Sequence, residues 1–293
     1  MTKRRRNTTK LKSLIISLCI IVGIFVFLGI NGLDNISYNS NGINIEKTID
    51  NFMKKKSNER KNTSEDAVPK EVRGFKVLHP ELAEIPSPNK RNEIISVTSN
   101  GTKPYSSDNA GNDGETEFTK DELSLKYGAW KSIAKHDKYG RTQQANAMLS
   151  KDLMPTEERE PLKSTPAGYK YYEIKKDNGK KTYLYDRTHL LGFSLSGEQD
   201  NEYNLTTGTS YMNQRLMTLY ENQVREYISK GGYVRYRVTP IYRNDELVPR
   251  GIQMEAKSIS DNEVDAEPID YNVYIHNYME DVNINYKNGK PKL

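Results

Sequence analysis

The stretch Tyr183-Leu184-Tyr185-Asp186-Arg187-Thr188-His189-Leu190-Leu191-Gly192-Phe193 is a strand-like run that ends on an acid, a base and an imidazole. Upstream, Tyr169 to Tyr172 is a second such run. Lys175 to Lys181, with Asn178-Gly179 at the turn, separates the two and predicts a hairpin, because Asn-Gly accepts the positive φ values that tight hairpin turns require. Downstream, Tyr211 to Ile228 places Met212, Leu216, Leu219, Tyr220, Val224, Tyr227 and Ile228 at three- and four-residue spacing. That spacing predicts an amphipathic helix, which Gly231-Gly232 stop. Tyr233 to Tyr242 and Gly251 to Ile259 then alternate as strands joined across Arg243-Asn244-Asp245. The fold class is therefore α+β, with a hairpin, a loop and a helix framing His189.

Further out the pattern thins. Ile94 to Val97 is a short strand-like run, Ser99 to Glu117 is polar and turn-rich with Asn109 to Gly114 the most loop-like part, and dense structure begins after Phe118. No period of 20 to 50 residues is visible, so a repeat architecture is not expected. Asp34 to about Glu84 is rich in Asn, Lys, Ser and Glu and reads as a tether, residues 34–83. Residues 1–33 hold Lys3, Arg4, Arg5, Arg6, Lys10 and Lys12 and then an apolar run, Leu14 to Ile30. Seventeen residues at ~1.5 Å each span roughly 26 Å, close to the ~30 Å hydrocarbon core of a bilayer. The expectation is a single transmembrane helix with its basic N-terminus in the cytoplasm and the rest of the chain outside the cell. A cleaved signal peptide, hence a secreted protein, is the alternative, but no convincing small-x-small site follows Ile30.

The chain has 293 residues, 35% hydrophobic, which fits a globular protein and excludes a polytopic membrane protein. Its net charge of +5 comes from the first twelve residues; the remainder carries 38 basic and 39 acidic side chains, so overall charge says nothing about a polyanionic partner. Cys19 is the one cysteine, which excludes an intrachain disulfide and any multi-cysteine metal site. A bound metal has to be held by nitrogen and oxygen.

Of four histidines, only His189 stands at a strand end beside Asp and Arg, with Asn201, Asn204, Asn213 and Asn222 downstream. An imidazole near its ordinary pKa of ~6.5 is a usable general base at neutral pH. Asn213 opens the expected helix and Glu221 follows eight residues later, about 80° around at ~100° per residue, so both can face one side. Hard oxygen donors beside a base suit Mg²⁺, which keeps several waters and needs one or two protein ligands. The same residues also fit a histidine and amides satisfied within the fold.

The motif and the residues after it resemble a known family. Asp186-Arg187-Thr188-His189 to Phe193, Leu195-Ser196-Gly197-Glu198, Asn204 to Thr209, Tyr211-Met212-Asn213 and Tyr220-Glu221-Asn222 are similar to the DNA/RNA non-specific endonucleases of the ββα-metal, or His-Me finger, type. Tyr139-Gly140-Arg141, Ala145 to Leu149, Met154 to Glu160, Pro166 to Tyr169 and Val282 to Tyr286 before Gly289 resemble the DNA-uptake nuclease and streptodornase-like branch. The resemblance covers residues 84–293, the expected nuclease domain. It implies a ββα-metal core on a mixed, mainly antiparallel sheet.

By the same resemblance His189 is the general base, Asn213 the metal ligand, Asn204 a transition-state-supporting amide and Glu221 a carboxylate behind the metal. Asp186 orders metal-bound waters and Arg159 contacts phosphate. Arg187 and Arg215 are the substrate-binding candidates. Arg225, Arg235 and Arg237 are further candidates for the groove, Arg235 and Arg237 reading equally as solvated strand residues. The implied cofactor is Mg²⁺, with Mn²⁺ as a substitute, and the implied partners are DNA, RNA as a second substrate, a membrane through residues 14–30 and a DNA-uptake machinery. Thr188 departs from the family, standing where a glycine is common, and puts the local backbone shape in question. The alternatives are a secreted DNase and an inert nucleic-acid-binding protein.

Overall fold

The computed structural model describes residues 38–39, 42–43, 69, 77–88, 92–107, 113–175, 179, 181–259 and 264–292. The chain divides into two units, Met1–Ser64 and Glu65–Leu293. In the first, strands β1 (Tyr38–Asn39) and β2 (Gly42–Ile43) pair antiparallel. The apolar run 14–30, expected to cross a membrane, lies outside the described residues. Among those that are described, no helix is long and apolar enough to cross a membrane.

The second unit is built on seven strands: β3 (Glu93–Thr98), β4 (Gly101–Ser106), β5 (Trp130–Ile133), β6 (Ala145–Leu149), β11 (Tyr233–Ile241), β12 (Gly251–Ile259) and β13 (Asp270–His276). Their order is β4-β3-β13-β12-β11-β6-β5. Every pairing in it is antiparallel. The expectation of a mainly antiparallel sheet is met, and no parallel pair occurs among these seven strands; consecutive strands such as β11 and β12 are joined by a short connection across Asn244, too short for the crossover a parallel pair needs.

Side chains alternate across this sheet, and both faces are covered. On one face Val234, Tyr236 and Val238 of β11, Ile252 and Met254 of β12 and Val273 and Ile275 of β13 meet Leu216, Val224 and Ile228 of a long helix. Burying each such Val, Leu or Ile contributes roughly 1.5–3 kcal/mol. The helix begins as a π-helical stretch, Met212–Met217, and continues as α2, Thr218–Ser229. The predicted Tyr211 to Ile228 helix is therefore present, but its first turns are wider than α, a geometry that recurs at functional sites. The extra residue per turn shifts Glu221 relative to Asn213, so the 100° rule used to place them on one side does not apply.

The opposite face carries apolar clusters around Ile241 and Tyr274 and around Trp130 and Met148, with a buried polar network between them. Arg237 makes a bidentate pair with Glu255, 2.6 Å at each oxygen, and reaches Glu122 at 3.1 Å. Arg235 is fully buried and donates to Asn146 Oδ1 at 2.6 Å and Glu122 Oε1 at 3.2 Å. Phe118 lies against both guanidinium groups, 4.6 Å from each. These two arginines thus neither line a groove nor face solvent. Their charge is neutralised inside the fold because alternation along β11 turns them away from the helix and the segment around Glu122 closes over them.

The His189 motif lies outside the large sheet. Strand β9 (Tyr185–His189) pairs antiparallel with β10 (Leu205–Thr209) in a separate two-stranded ribbon. The expected hairpin forms closer to its turn, between β7 (Glu173–Lys175) and β8 (Lys181–Tyr183), so Tyr169 to Tyr172 precedes its first strand. A short helix, α1 (Phe193–Ser196), follows the motif, and a small ribbon of β14 (Asn283–Asn285) and β15 (Lys290–Lys292) closes the chain. Asn277 anchors the β9–β10 ribbon: its Oδ1 accepts from Thr209 N at 2.7 Å and its Nδ2 donates to the carbonyls of Thr207 and Pro249. Thr209 Oγ1 then accepts from Met212 N at 3.1 Å, so the ribbon runs straight into the π-helical turn. The ββα unit is β9, β10 and this helix.

Candidate active site

Thr188 and Gly208 explain each other. A Cβ on Gly208 would lie 2.3 Å from Thr188 Oγ1 and 2.6 Å from Met212 Cε, so only glycine leaves room for the threonine. Thr188 is paired regularly with Thr206 and is fully buried. The departure at this position is accommodated by ordinary strand geometry, and the backbone of the motif is not distorted by it.

His189 ends β9 and is only 7% exposed. Its Nε2 lies 2.8 Å from the carbonyl oxygen of Gln199. A carbonyl only accepts, so Nε2 carries the proton and the neutral ring keeps its lone pair on Nδ1. Burial pushes the imidazole below its usual pKa; the Gln199 carbonyl opposes this and the positive charge of Arg159 adds to it. A histidine held neutral in one tautomer is a general base ready for use.

Asn213 lies in the first π-helical turn. Its Nδ2 donates to Asp186 Oδ2 at 2.9 Å, and Gln214 Nε2 donates to the same oxygen at 2.9 Å. With its nitrogen committed to the carboxylate, the Asn213 amide presents Oδ1 on the other side. Asp186 therefore orients Asn213, and the pair offers hard oxygen donors. Among the described residues there is no group of three or more His, Cys, Asp or Glu side chains able to hold a metal ion. An oxygen pair with room for water suits an ion such as Mg²⁺, which retains much of its hydration shell.

Glu221 projects from α2 toward the start of α1. A Cβ on Gly192 would stand 2.7 Å from its Oε1, so the glycine makes space for the carboxylate. Burial pushes the Glu221 carboxyl up to about 7, while Arg159 and Arg225 pull it down. Arg159 acts electrostatically on both His189 and Glu221, so its positive charge is felt by the imidazole and by the helix carboxylate.

The other expected site residues are placed differently. Asn204 has no exposed surface; its Oδ1 accepts from Leu191 N and its Nδ2 donates to Leu191 O, both at 2.9 Å. Both ends of this amide are used to hold the chain after His189 in place. Arg187 donates to the Leu162 carbonyl and lies over the Tyr169 ring, so its guanidinium is engaged within the protein. Arg215 is exposed on the π-helical turn, and Arg225 is exposed on α2. Gln199 and Gln214 are not signalled by the sequence: their contacts are to Glu158, Glu160 and His189 for Gln199 and to Asp186 for Gln214, and no spacing marks such a glutamine.

Residues 123–260 match the family described as DNA/RNA non-specific endonuclease. That segment is identified as a DNA/RNA non-specific endonuclease domain. The non-specific endonuclease is thus a phosphodiester hydrolase, and its matched segment contains β9, β10, the helix and every candidate residue described above. The structure of NucA from Streptococcus agalactiae with a magnesium ion bound is similar, at 27% identity and a TM-score of 0.53 over 62% of this chain and 84% of that one. The same nuclease with no metal bound gives 27% identity and a TM-score of 0.52, over 62% and 85%. The zinc-bound Sda1 nuclease is 26% identical with a TM-score of 0.48, over 56% and 81%.

Proposed function

We propose that this endonuclease cleaves DNA, and RNA as a second substrate, by hydrolysis in which His189 is the general base. The observation that carries this reading is the 2.8 Å contact between Nε2 and the Gln199 carbonyl, which leaves Nδ1 to take the proton. Nδ1 removes a proton from water, and the resulting hydroxide attacks phosphorus in line with the departing 3′ oxygen, leaving 5′-phosphate and 3′-hydroxyl ends. Asn213, aimed by Asp186, would hold a divalent cation, and NucA with magnesium bound supports Mg²⁺ as its identity. When bound, that ion supplies Lewis acidity toward phosphate oxygens. Arg159 binds the phosphate, Glu221 and Asp186 order groups around the cation, and Arg215 extends the contact to backbone phosphates. Contacts of this kind go to phosphate rather than to bases, which accounts for cleavage without sequence preference.

The basic residues 3–12 and the apolar run 14–30 support an anchored enzyme facing outward. Cleavage beside the envelope would suit DNA uptake, whereas a released form would serve scavenging. The deciding experiment is cleavage of plasmid and single-stranded DNA by the purified protein with Mg²⁺, with EDTA, and as His189→Ala. Metal-dependent cleavage lost in the variant is expected; activity retained in His189→Ala would show that the base lies elsewhere.

A further inference from the structure

The segment Pro155 to Thr165 carries Arg159 and, among the described residues, makes no backbone–backbone hydrogen bond of its own. It is held instead by side chains from the catalytic motif and the loop after it. Arg187 takes the Leu162 carbonyl, and Asp200 Oδ1 accepts from Ser164 N at 2.9 Å. Closest to Arg159 is Gln199. Its Oε1 accepts from Glu160 N at 3.0 Å and its Nε2 donates to Glu158 O at 2.9 Å. One side-chain amide therefore grips the peptide on both sides of Arg159, in the way a neighbouring strand would, and so sets the backbone angles that aim the guanidinium.

Gln199 is also the residue whose backbone carbonyl fixes the His189 tautomer. We propose that Gln199 is a positioning residue: its backbone orients the general base while its side chain holds the phosphate-binding arginine at a set distance from it. Without the side chain the carbonyl remains, so His189 keeps its tautomer, but the peptides flanking Arg159 lose both their hydrogen bonds and the segment stays held only farther along, at Leu162 and Ser164. The role is specific to the amide, since it needs a donor and an acceptor on one planar group. The positioning rests on the assignment of His189 and Arg159 proposed above; the clamp itself does not.

The test uses Gln199→Met in the full chain, which keeps the length of the side chain and removes both hydrogen bonds, beside Arg159→Met and the double variant. Amide exchange at Glu160 should quicken in Gln199→Met while thermal stability changes little, because this residue is only partly buried. kcat/KM should fall about tenfold, mainly through KM, as expected for losing two hydrogen bonds that order a binding group. The double variant should be no worse than Arg159→Met alone, since both substitutions remove the same contribution. The acid limb of the pH profile should move upward in Gln199→Met, because the arginine charge that depresses His189 recedes. Unchanged exchange at Glu160 would overturn the clamp, and losses that multiply in the double variant would overturn the coupling to Arg159. If the wild-type protein failed to cleave DNA at all, the Glu160 exchange would still read the clamp, separating its failure from that of the catalytic assignment.

Discussion

Asn213 Nδ2 donates to Asp186 Oδ2 at 2.9 Å, across the gap between strand β9 and the first turn of the helix. Asn213, the proposed metal ligand, is thereby held in one orientation, and losing such a partner typically lowers metal affinity or activity by about 10–100-fold. Asp186→Ala is therefore expected to raise the Mg²⁺ concentration for half-maximal cleavage by a factor in that range. A magnesium titration of the cleavage rate reads this directly, and an unchanged midpoint would exclude the orienting role.

The pH dependence of catalysis follows from the burial of His189. Burial holds its pKa below the usual imidazole value, and the neutral ring is the proposed base. Activity should then be intact at neutral pH and fall only as pH drops through a midpoint below 6.5. A profile of kcat/KM against pH at saturating metal would show it; a midpoint above 6.5 would contradict the burial.

Stability has a second histidine in it. His276, on the face of β13 away from the helix, is 3% exposed, and burial pushes its pKa down to about 4. The unfolded chain binds this proton from about pH 6.5 downward, the folded one only near 4. Stability is thus unaffected above pH 6.5 and is lost progressively between about 6.5 and 4, by up to about 3 kcal/mol. His276→Asn should flatten the decline in Tm across that window, and an equally steep decline in the variant would assign it to other groups.

Gly192 offers a way to move Glu221 without touching it. The glycine has φ −56°, which alanine adopts freely, so the backbone is not strained by the change. The added methyl would stand 2.7 Å from Glu221 Oε1, and the flexible carboxylate has to shift. Gly192→Ala should keep Tm within a few degrees yet lower kcat about tenfold or more, since displacing a group near the chemistry by ~1 Å is enough to slow it. A drop in Tm without loss of kcat would make the contact structural only.

The buried pair on β11 and β12 predicts the opposite pattern. Arg237→Ala leaves Glu255 without its partner in the interior and Glu122 with Arg235 alone, a change that costs about 3–5 kcal/mol. Urea denaturation should report that loss, with the metal dependence of any residual activity unchanged. A destabilisation below about 1 kcal/mol would mean that water reaches the carboxylates.

Local order was legible without the structure. Met212, Leu216, Val224 and Ile228 repeat at helical spacing, Val234, Tyr236 and Val238 alternate as a strand does, and the run from Asp186 to Phe193 marks the site. These features depend on neighbours three or four residues away or on the two faces of one strand, and periodicity reports such relations. Asn213 and His189 were within reach for the same reason, each being tied to the start or end of one element.

What the tertiary structure decided are the relations between distant parts of the chain. Strand β9 pairs with β10, so the expected hairpin stops one strand short of the motif. The alternation that predicts β11 also puts Arg235 and Arg237 on one face, but whether that face meets water depends on Glu122, 113 and 115 residues away. The resemblance implies a transition-state-supporting amide at Asn204, and only the packing shows that both ends of that amide bond to Leu191. Gln199 gives no local signal at all, because its partners, Glu158 and Glu160, come from a segment about forty residues earlier in the chain. A hydrogen bond between remote residues leaves no periodicity in sequence, and only the packing of the β9–β10 ribbon against that segment brings its donor and acceptor together.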